Sequence, residues 1–287
     1  MNYKYTLDKS SRKFNCPSCN KKTFVRYVVV ETNNYLEITL GRCDRESKCA
    51  YHKRPQHTTT TTPFVIKRPL PVPQVEPSCH HKAVIQYFTK DFMQNHFVLY
   101  LLKYFTPTQV RNALKKYFIG TSNKWQGATV FLQIDEQLNV CAGKIMLYDK
   151  NTGKRIKEPF PHITWLHKVL CIKDFVLQQC LFGLHNLCDY KKGSTVCIVE
   201  SEKTAVIMSI IFPDYLWLAT GSKANLKALL LKPLKEYNII LYPDKSEFEA
   251  WNTKTLTLKN MGFNISCSTF LEEKAIEEGD DLVDLLF

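Results

Sequence analysis

The chain has 287 residues, with 39 Lys and Arg against 27 Asp and Glu, for a formal charge of +12. Its 45% hydrophobic and 12% aromatic content is enough to bury a sizeable core, which excludes wholesale disorder. No apolar run approaches the roughly 20 residues that span a bilayer, and the eleven cysteines, odd in number and scattered, do not read as a secreted disulfide framework.

The first residues lack the apolar core of a signal peptide, so the expected setting is a reducing cytoplasm with no membrane partner. The charge is uneven. Residues 1–56 carry 12 basic and 5 acidic side chains, residues 57–199 carry 18 and 8, and residues 200–287 carry 9 and 14. A basic front suits phosphate backbones, whereas an acidic rear suits divalent cations.

The N-terminal segment is read first from Cys16-Pro-Ser-Cys19, followed by Cys43, Cys49 and His52. A Cys-x-x-Cys turn presents two thiolates to one tetrahedral zinc, and a second pair completes the shell. Cys16, Cys19, Cys43 and Cys49 are the favoured ligands, with His52 as the alternative fourth. Thr23–Val30 and Tyr35–Leu40 read as strands joined at Asn33-Asn34, which gives a small β zinc ribbon over residues 1–54. Arg26 and Arg42, among other basic residues interleaved with aromatics, are candidates for holding a strand's phosphates while rings stack on its bases.

Residues 55–78, with Thr58–Thr62 and five prolines between 63 and 77, read as an extended linker. From 80 to 118 apolar residues recur at helical spacing, with Pro107 starting a new helix. A hairpin follows over Ala128–Tyr148. From residue 194 strands and helices alternate: strands at Thr195–Glu200, Tyr215–Ala219, Asn238–Tyr242 and Ile265–Phe270, and helices at Ser201–Phe212, Ala224–Leu231 and Glu247–Met261. That alternation predicts an α/β fold with a mostly parallel sheet over 194–287, preceded by a mixed α+β segment over 79–193.

Glu200 and Asp244 both end apolar strands, and ligands of open parallel sheets bind at the strands' carboxyl ends. Neighbouring strands would gather these two with Glu202, Glu247, Asp280, Asp281 and Asp284. Such a cluster needs a cation, and Mg²⁺ held by a few carboxylates and substrate phosphates is the usual partner of phosphoryl transfer.

Val199-Glu200-Ser-Glu-Lys-Thr-Ala, with Leu-Tyr-Pro-Asp244 some forty residues on, resembles the TOPRIM domain of bacterial-type primases and topoisomerases. Gly279-Asp-Asp-Leu-Val-Asp-Leu-Leu is similar to the acidic helix that closes primase-type TOPRIM segments. Upstream, Tyr117-Phe-Ile-Gly-Thr-Ser, Val130-Phe-Leu-Gln-Ile-Asp, Ala142-Gly-Lys-Ile-Met and Leu181-Phe-Gly-Leu-His follow the order of motifs in the primase RNA-polymerase core. With the ribbon in front, the plan resembles the shortened primase-like proteins of bacterial mobile elements.

The resemblance implies Glu200 as acid/base, Asp244 on Mg²⁺, and Lys144, Lys203 and Lys223 near template and nucleotide. It also implies single-stranded DNA, nucleotides, and replication or mobilisation proteins as partners. One departure stands out. Where the family has Asp-x-Asp, this chain has Asp244-Lys245-Ser246, which removes one carboxylate and sets a cation beside the site. The implied activity is primer synthesis on single-stranded DNA. The second reading is a non-catalytic DNA-binding or replication accessory protein, and the third is a TOPRIM nuclease.

Overall fold

The computed structural model describes residues 4–45, 48–55 and 76–287. The chain divides into two compact units, Met1–Val75 and Glu76–Phe287. Thr58–Thr62 and the prolines at 63, 69, 71 and 73 lie outside the described residues.

The first unit is a five-stranded sheet of β1 (Tyr5–Leu7), β2 (Phe14–Asn15), β3 (Lys22–Val29), β4 (Gly41–Cys43) and β5 (His52–Lys53). Its path runs β1-β3-β4-β5, with β2 also on β3. The expected strand over Tyr35–Leu40 is not there. Tyr35 makes one bridge to Val28, and the partner of β3 is β4, with Phe24 opposite Cys43. The register that brings Cys43 back to Cys19 wins over local β propensity. Only a handful of residues are buried, chiefly Cys16, Phe24, Val25, Val28, Tyr35 and Cys43.

The second unit begins with short helices, α1 (Ala83–Phe88), α2 (His96–Leu101) and α3 (Pro107–Lys116). Asn95 caps α2, accepting from the backbone N–H groups of Phe97 and Val98, and is itself fully buried. Its amide also donates to the Gly120 carbonyl at 2.9 Å, tying the helix to the sheet behind it. Pro107 opens α3 after Thr106, whose hydroxyl and Gln109 form a reciprocal capping box.

Behind these helices lies an antiparallel sheet of β6 (Gly120–Ser122), β7 (Ala128–Ile134), β8 (Val140–Met146) and β9 (Ile163–Trp165), in that order. All seven residues of β7 are buried, so this hairpin is covered on both faces.

The second sheet is parallel: β10 (Thr195–Val199), β11 (Leu216–Ala219), β12 (Asn238–Leu241) and β13 (Ile265–Cys267), in the order β11-β10-β12-β13. Helix α4 (Leu166–Val169) follows β9, and α5 (Glu202–Ile211) follows β10. The stretch expected as a helix over Ala224–Leu231 is a 3₁₀ turn at Lys223–Asn225 and a four-residue α6 (Ala228–Leu231). Helix α7 (Phe248–Asn260) precedes β13.

The two sheets share one core. Phe97, Phe131, Tyr148 and Phe182 pack in it with Val199, Val206 and Trp217, and the Tyr117 hydroxyl donates to the Trp217 carbonyl at 2.9 Å. Among the described residues, no helix is long and apolar enough to cross a membrane.

Candidate functional site: a four-cysteine centre and an acidic cavity

In the first unit the sulfurs of Cys16, Cys19, Cys43 and Cys49 all lie within 4.8 Å of one another. Cys16 and Cys49 stand 3.7 Å apart, and Cys19 and Cys43 stand 3.9 Å apart. Four thiolates at about 2.3 Å from a tetrahedral zinc have edges of roughly 3.8 Å, so the spacing fits the ion. The Lys21 backbone N–H pulls the Cys19 thiol down to about 6, and the Thr23 hydroxyl lowers Cys43, while burial raises Cys16 to about 11. His52 is not in the group. Its ring lies 2.9 Å from the Tyr27 hydroxyl and stacks on that ring. Arg26 lies over the Phe14 ring at 4.0 Å, and Arg42 pairs with His52 across β4 and β5.

In the second unit the parallel sheet sets the site. The chain leaves β10 toward β11 on one side and returns as β12 on the other, so β10 and β12 flank a topological switch point. Glu200 follows β10 and Asp244 lies just beyond β12, with Ile198 paired to Leu241. Both carboxylates line one cavity of about 660 Å³. Asp281 and Asp284 line the same cavity, and so do Lys144 and Lys203.

Burial first, then the charges of Asp281, Glu200, Asp284 and Glu247, raises the Asp244 carboxyl to about 8. Burial and Glu247 raise Glu200 as well, partly offset by Lys223 and Lys144. Carboxylates raised by burial and then by one another sit where a divalent cation would offset both penalties.

The residues missed by sequence reading form the cavity's other wall: Lys154, Arg155 and Lys157. Four basic residues between 150 and 157, in a turn after a hairpin strand, were the available signal.

The remaining candidates separate. Glu202 adds least to the repulsion on Glu200, because Lys144 pairs with it at 2.6 Å and both are buried. Lys144 also donates to the Gly221 carbonyl at 2.8 Å. Gly221 is left-handed at φ +68°, and a Cβ there would meet Glu202 Oε1 at 2.7 Å and Lys144 Nζ at 2.8 Å, so only glycine lets the pair close. Lys223 is not in the cavity wall; it pairs with Glu247 at 2.7 Å. The Asp280 carboxylate accepts from the Glu277 backbone N–H instead of facing the cavity.

The expectation that Lys245 sets a charge beside the site is corrected. Its ammonium turns away and donates to three carbonyls, of Leu271, Glu272 and Lys274, at 3.2, 2.9 and 2.8 Å. Its own N–H and C=O hold the Asp280 carbonyl and the Gly279 N–H. The acidic terminal stretch forms turns and no helix. Asp281 fixes it by accepting from Thr204 of α5 and from the Val283 and Asp284 N–H groups. Lys245 thus clamps the segment that brings Asp281 and Asp284 to the cavity.

A small zinc-type ribbon and an α/β unit with a switch-point acidic cavity define the class. The family described as Domain of unknown function (DUF6371) matches residues 95–245, more than half of the chain, and the chain belongs to it. A zinc beta-ribbon finger family matches residues 3–64, and with the four-cysteine spacing it makes zinc the metal of the first unit. No curated protein sequence matches.

Among solved structures the chain is similar to the Escherichia coli primase catalytic core, at 14% identity and TM-score 0.45, covering 70% of this chain and 74% of that one. It is similar to the Aquifex aeolicus primase zinc-binding and RNA polymerase domains, at 12% and 0.40, covering 96% and 75%. It is also similar to the primase fragment of the bacteriophage T7 primase-helicase, at 15% and 0.37, covering 59% of this chain and 63% of that one.

Proposed function

We propose that the protein is a primase-like nucleic-acid-binding protein, in which residues 194–287 form a TOPRIM-like domain and residues 79–193 a primase-core-like segment. The observation that carries this reading is the convergence of Glu200 and Asp244 on one cavity at the switch point, with the motif order noted above leading up to it. Glu200, Asp244 and Asp284 would hold Mg²⁺, and Asp281 contributes charge while its oxygens order the terminal turns.

Magnesium would neutralise charge on a nucleotide's phosphates during transfer. Lys144 stays neutralised by Glu202 and positions Gly221 at the cavity wall, whereas Lys203, Lys154, Arg155 and Lys157 face the cavity with net positive charge for phosphates. The missing second aspartate of Asp-x-Asp is offset by carboxylates from the terminal turns, which Lys245 holds in place. This favours an active enzyme over the accessory reading. The zinc ribbon, with Arg26 and Arg42 on its strands, would engage single-stranded template.

The test is primer synthesis on single-stranded DNA with Mg²⁺ or Mn²⁺. Wild type makes product, and Glu200→Ala and Asp244→Ala each lower the rate at least about 100-fold, the scale of a lost charge-stabilising group. Tight strand binding with no product from wild type would establish the accessory reading instead. Equal product from all three proteins would remove these residues from the mechanism.

A further inference from the structure

The second unit carries a surface that the acidic cavity does not explain. β9 pairs only with β8, so among the described residues it is the free edge of its sheet. From it runs a row of rings. Trp165 and His167 are near-parallel at 18° with centroids 6.4 Å apart, and His167 stacks on Phe175 at 4° and 4.8 Å. Phe175 in turn stacks on the buried His80 at 4.6 Å, which anchors the row in the protein. The cavity end of the row is fixed too: Lys144 is the register partner of Trp165, its ammonium lies 5.9 Å from the Trp165 ring, and Ile163 lines the cavity itself.

Core packing alone does not account for the row. Trp165, His167 and Phe175 are only half-buried, and the apolar side chains around them are more open still. Phe160 is 51% exposed, Ile163 38%, Leu170 38% and Ile172 42%. Half-buried rings in a row, with exposed apolar side chains on the same stretch of chain, mark a contact site. The charge of the same stretch, part of it in the cavity wall, says for what. Residues 150–175 carry six exposed basic side chains against two acidic ones, Glu158 and Asp174. Rings for flat apolar faces and cations for a polyanion are together the recognition chemistry of an unpaired nucleic-acid strand; a duplex hides its base faces. The widest step of the row, at 6.4 Å, is the one nearest the cavity.

We propose that Trp165, His167 and Phe175 form a stacking track along the edge of this sheet for the unpaired bases of a single strand entering the acidic cavity. The inference rests on the nucleic-acid reading of that cavity and adds where the bases, as distinct from the phosphates, are held. Stacking depends on bases and not on ions, so its loss is separable from the loss of a lysine contact, which alters the salt dependence.

The test is fluorescence anisotropy with the zinc-loaded full chain, using a labelled oligothymidylate and an abasic oligonucleotide of the same length. Wild type is expected to bind the thymidylate about tenfold more tightly, the scale of one stacked base. Trp165→Ala and His167→Ala should bring it down to the abasic level with an unchanged salt slope, while Trp165→Phe keeps the preference. Unaltered melting temperatures show that the variants fold. Equal wild-type affinity for the two oligonucleotides, or a full preference surviving in both alanine variants, overturns this inference alone. Wild type that binds neither overturns it together with the reading of the cavity.

Discussion

The chain carries a four-cysteine zinc centre and an acidic cavity, and they are made in opposite ways. The ribbon unit buries few side chains around Phe24 and gathers four thiol groups, one raised by burial to about 11 and one lowered to about 6. Without an ion such a set is an assembly of free cysteines in a sheet with little core, so there the metal makes the fold. The acidic cavity stands on a core that both sheets share, and strand order alone delivers Glu200 and Asp244 to one place. There the fold makes the acidic cavity, proposed above to hold Mg²⁺, and it bears the cost of burying and crowding those carboxylates. A fold that depends on its ion and a fold that tolerates its absence should respond oppositely to the same treatments.

The largest expected difference is in the response to chelation. Removing zinc, or Cys16→Ser, forfeits binding worth about 10–16 kcal/mol and unfolds the ribbon. All four tryptophans, Trp125, Trp165, Trp217 and Trp251, lie in the second unit, so their fluorescence reads that unit alone. The tryptophan-monitored melt is expected to survive chelation while amide exchange across β3 and β4 becomes fast. Loss of both signals together would break the comparison.

Next in size is the buried pair beneath the cavity. Lys144→Met leaves Glu202 uncompensated and is expected to cost about 3–5 kcal/mol in urea unfolding. The double replacement Lys144→Met with Glu202→Met should recover most of that. A double variant as unstable as the single one would mean that the packing, and not the charge, was lost.

The smallest effect concerns pH. The Asp244 carboxyl is raised from 3.8 to about 8, so the folded chain holds a proton that the unfolded chain releases. Its contribution to stability is full below about pH 4 and lost as the pH rises through about 8. Metal-free Asp244→Asn is expected to melt about 5 °C above metal-free wild type at pH 8.5, and at the same temperature near pH 4. Equal melting at both pH values would show that neither burial nor the neighbouring carboxylates raise Asp244.

The two sites also differed in how far they could be read from sequence. The four cysteines were legible because a Cys-x-x-Cys turn fixes two ligands locally, yet the strand that pairs with β3 was misplaced onto Tyr35–Leu40, since long-range register outweighs β propensity. In the second unit the alternation of apolar strands and helices located β10, β12 and the carboxylates after them, because strands buried on both faces read as continuous apolar runs. The basic wall at Lys154–Lys157 was invisible, as nothing local says which sheet edge a charged turn will face. The sense of Lys245 was likewise out of reach. Its three carbonyl partners lie 26 to 29 residues away, and the ammonium that reads as a charge beside the site instead holds the chain leading to Asp281 and Asp284.

The central claim is that this fold builds a divalent-cation site from Glu200, Asp244 and the terminal aspartates, without the second acid of Asp-x-Asp. Its most direct test is a magnesium titration by calorimetry at pH 7.5, on zinc-loaded wild type, Asp244→Asn and Asp284→Asn. One saturable site in wild type, weakened about tenfold or more in each variant, is the predicted result. An isotherm that neither substitution changes would contradict the claim.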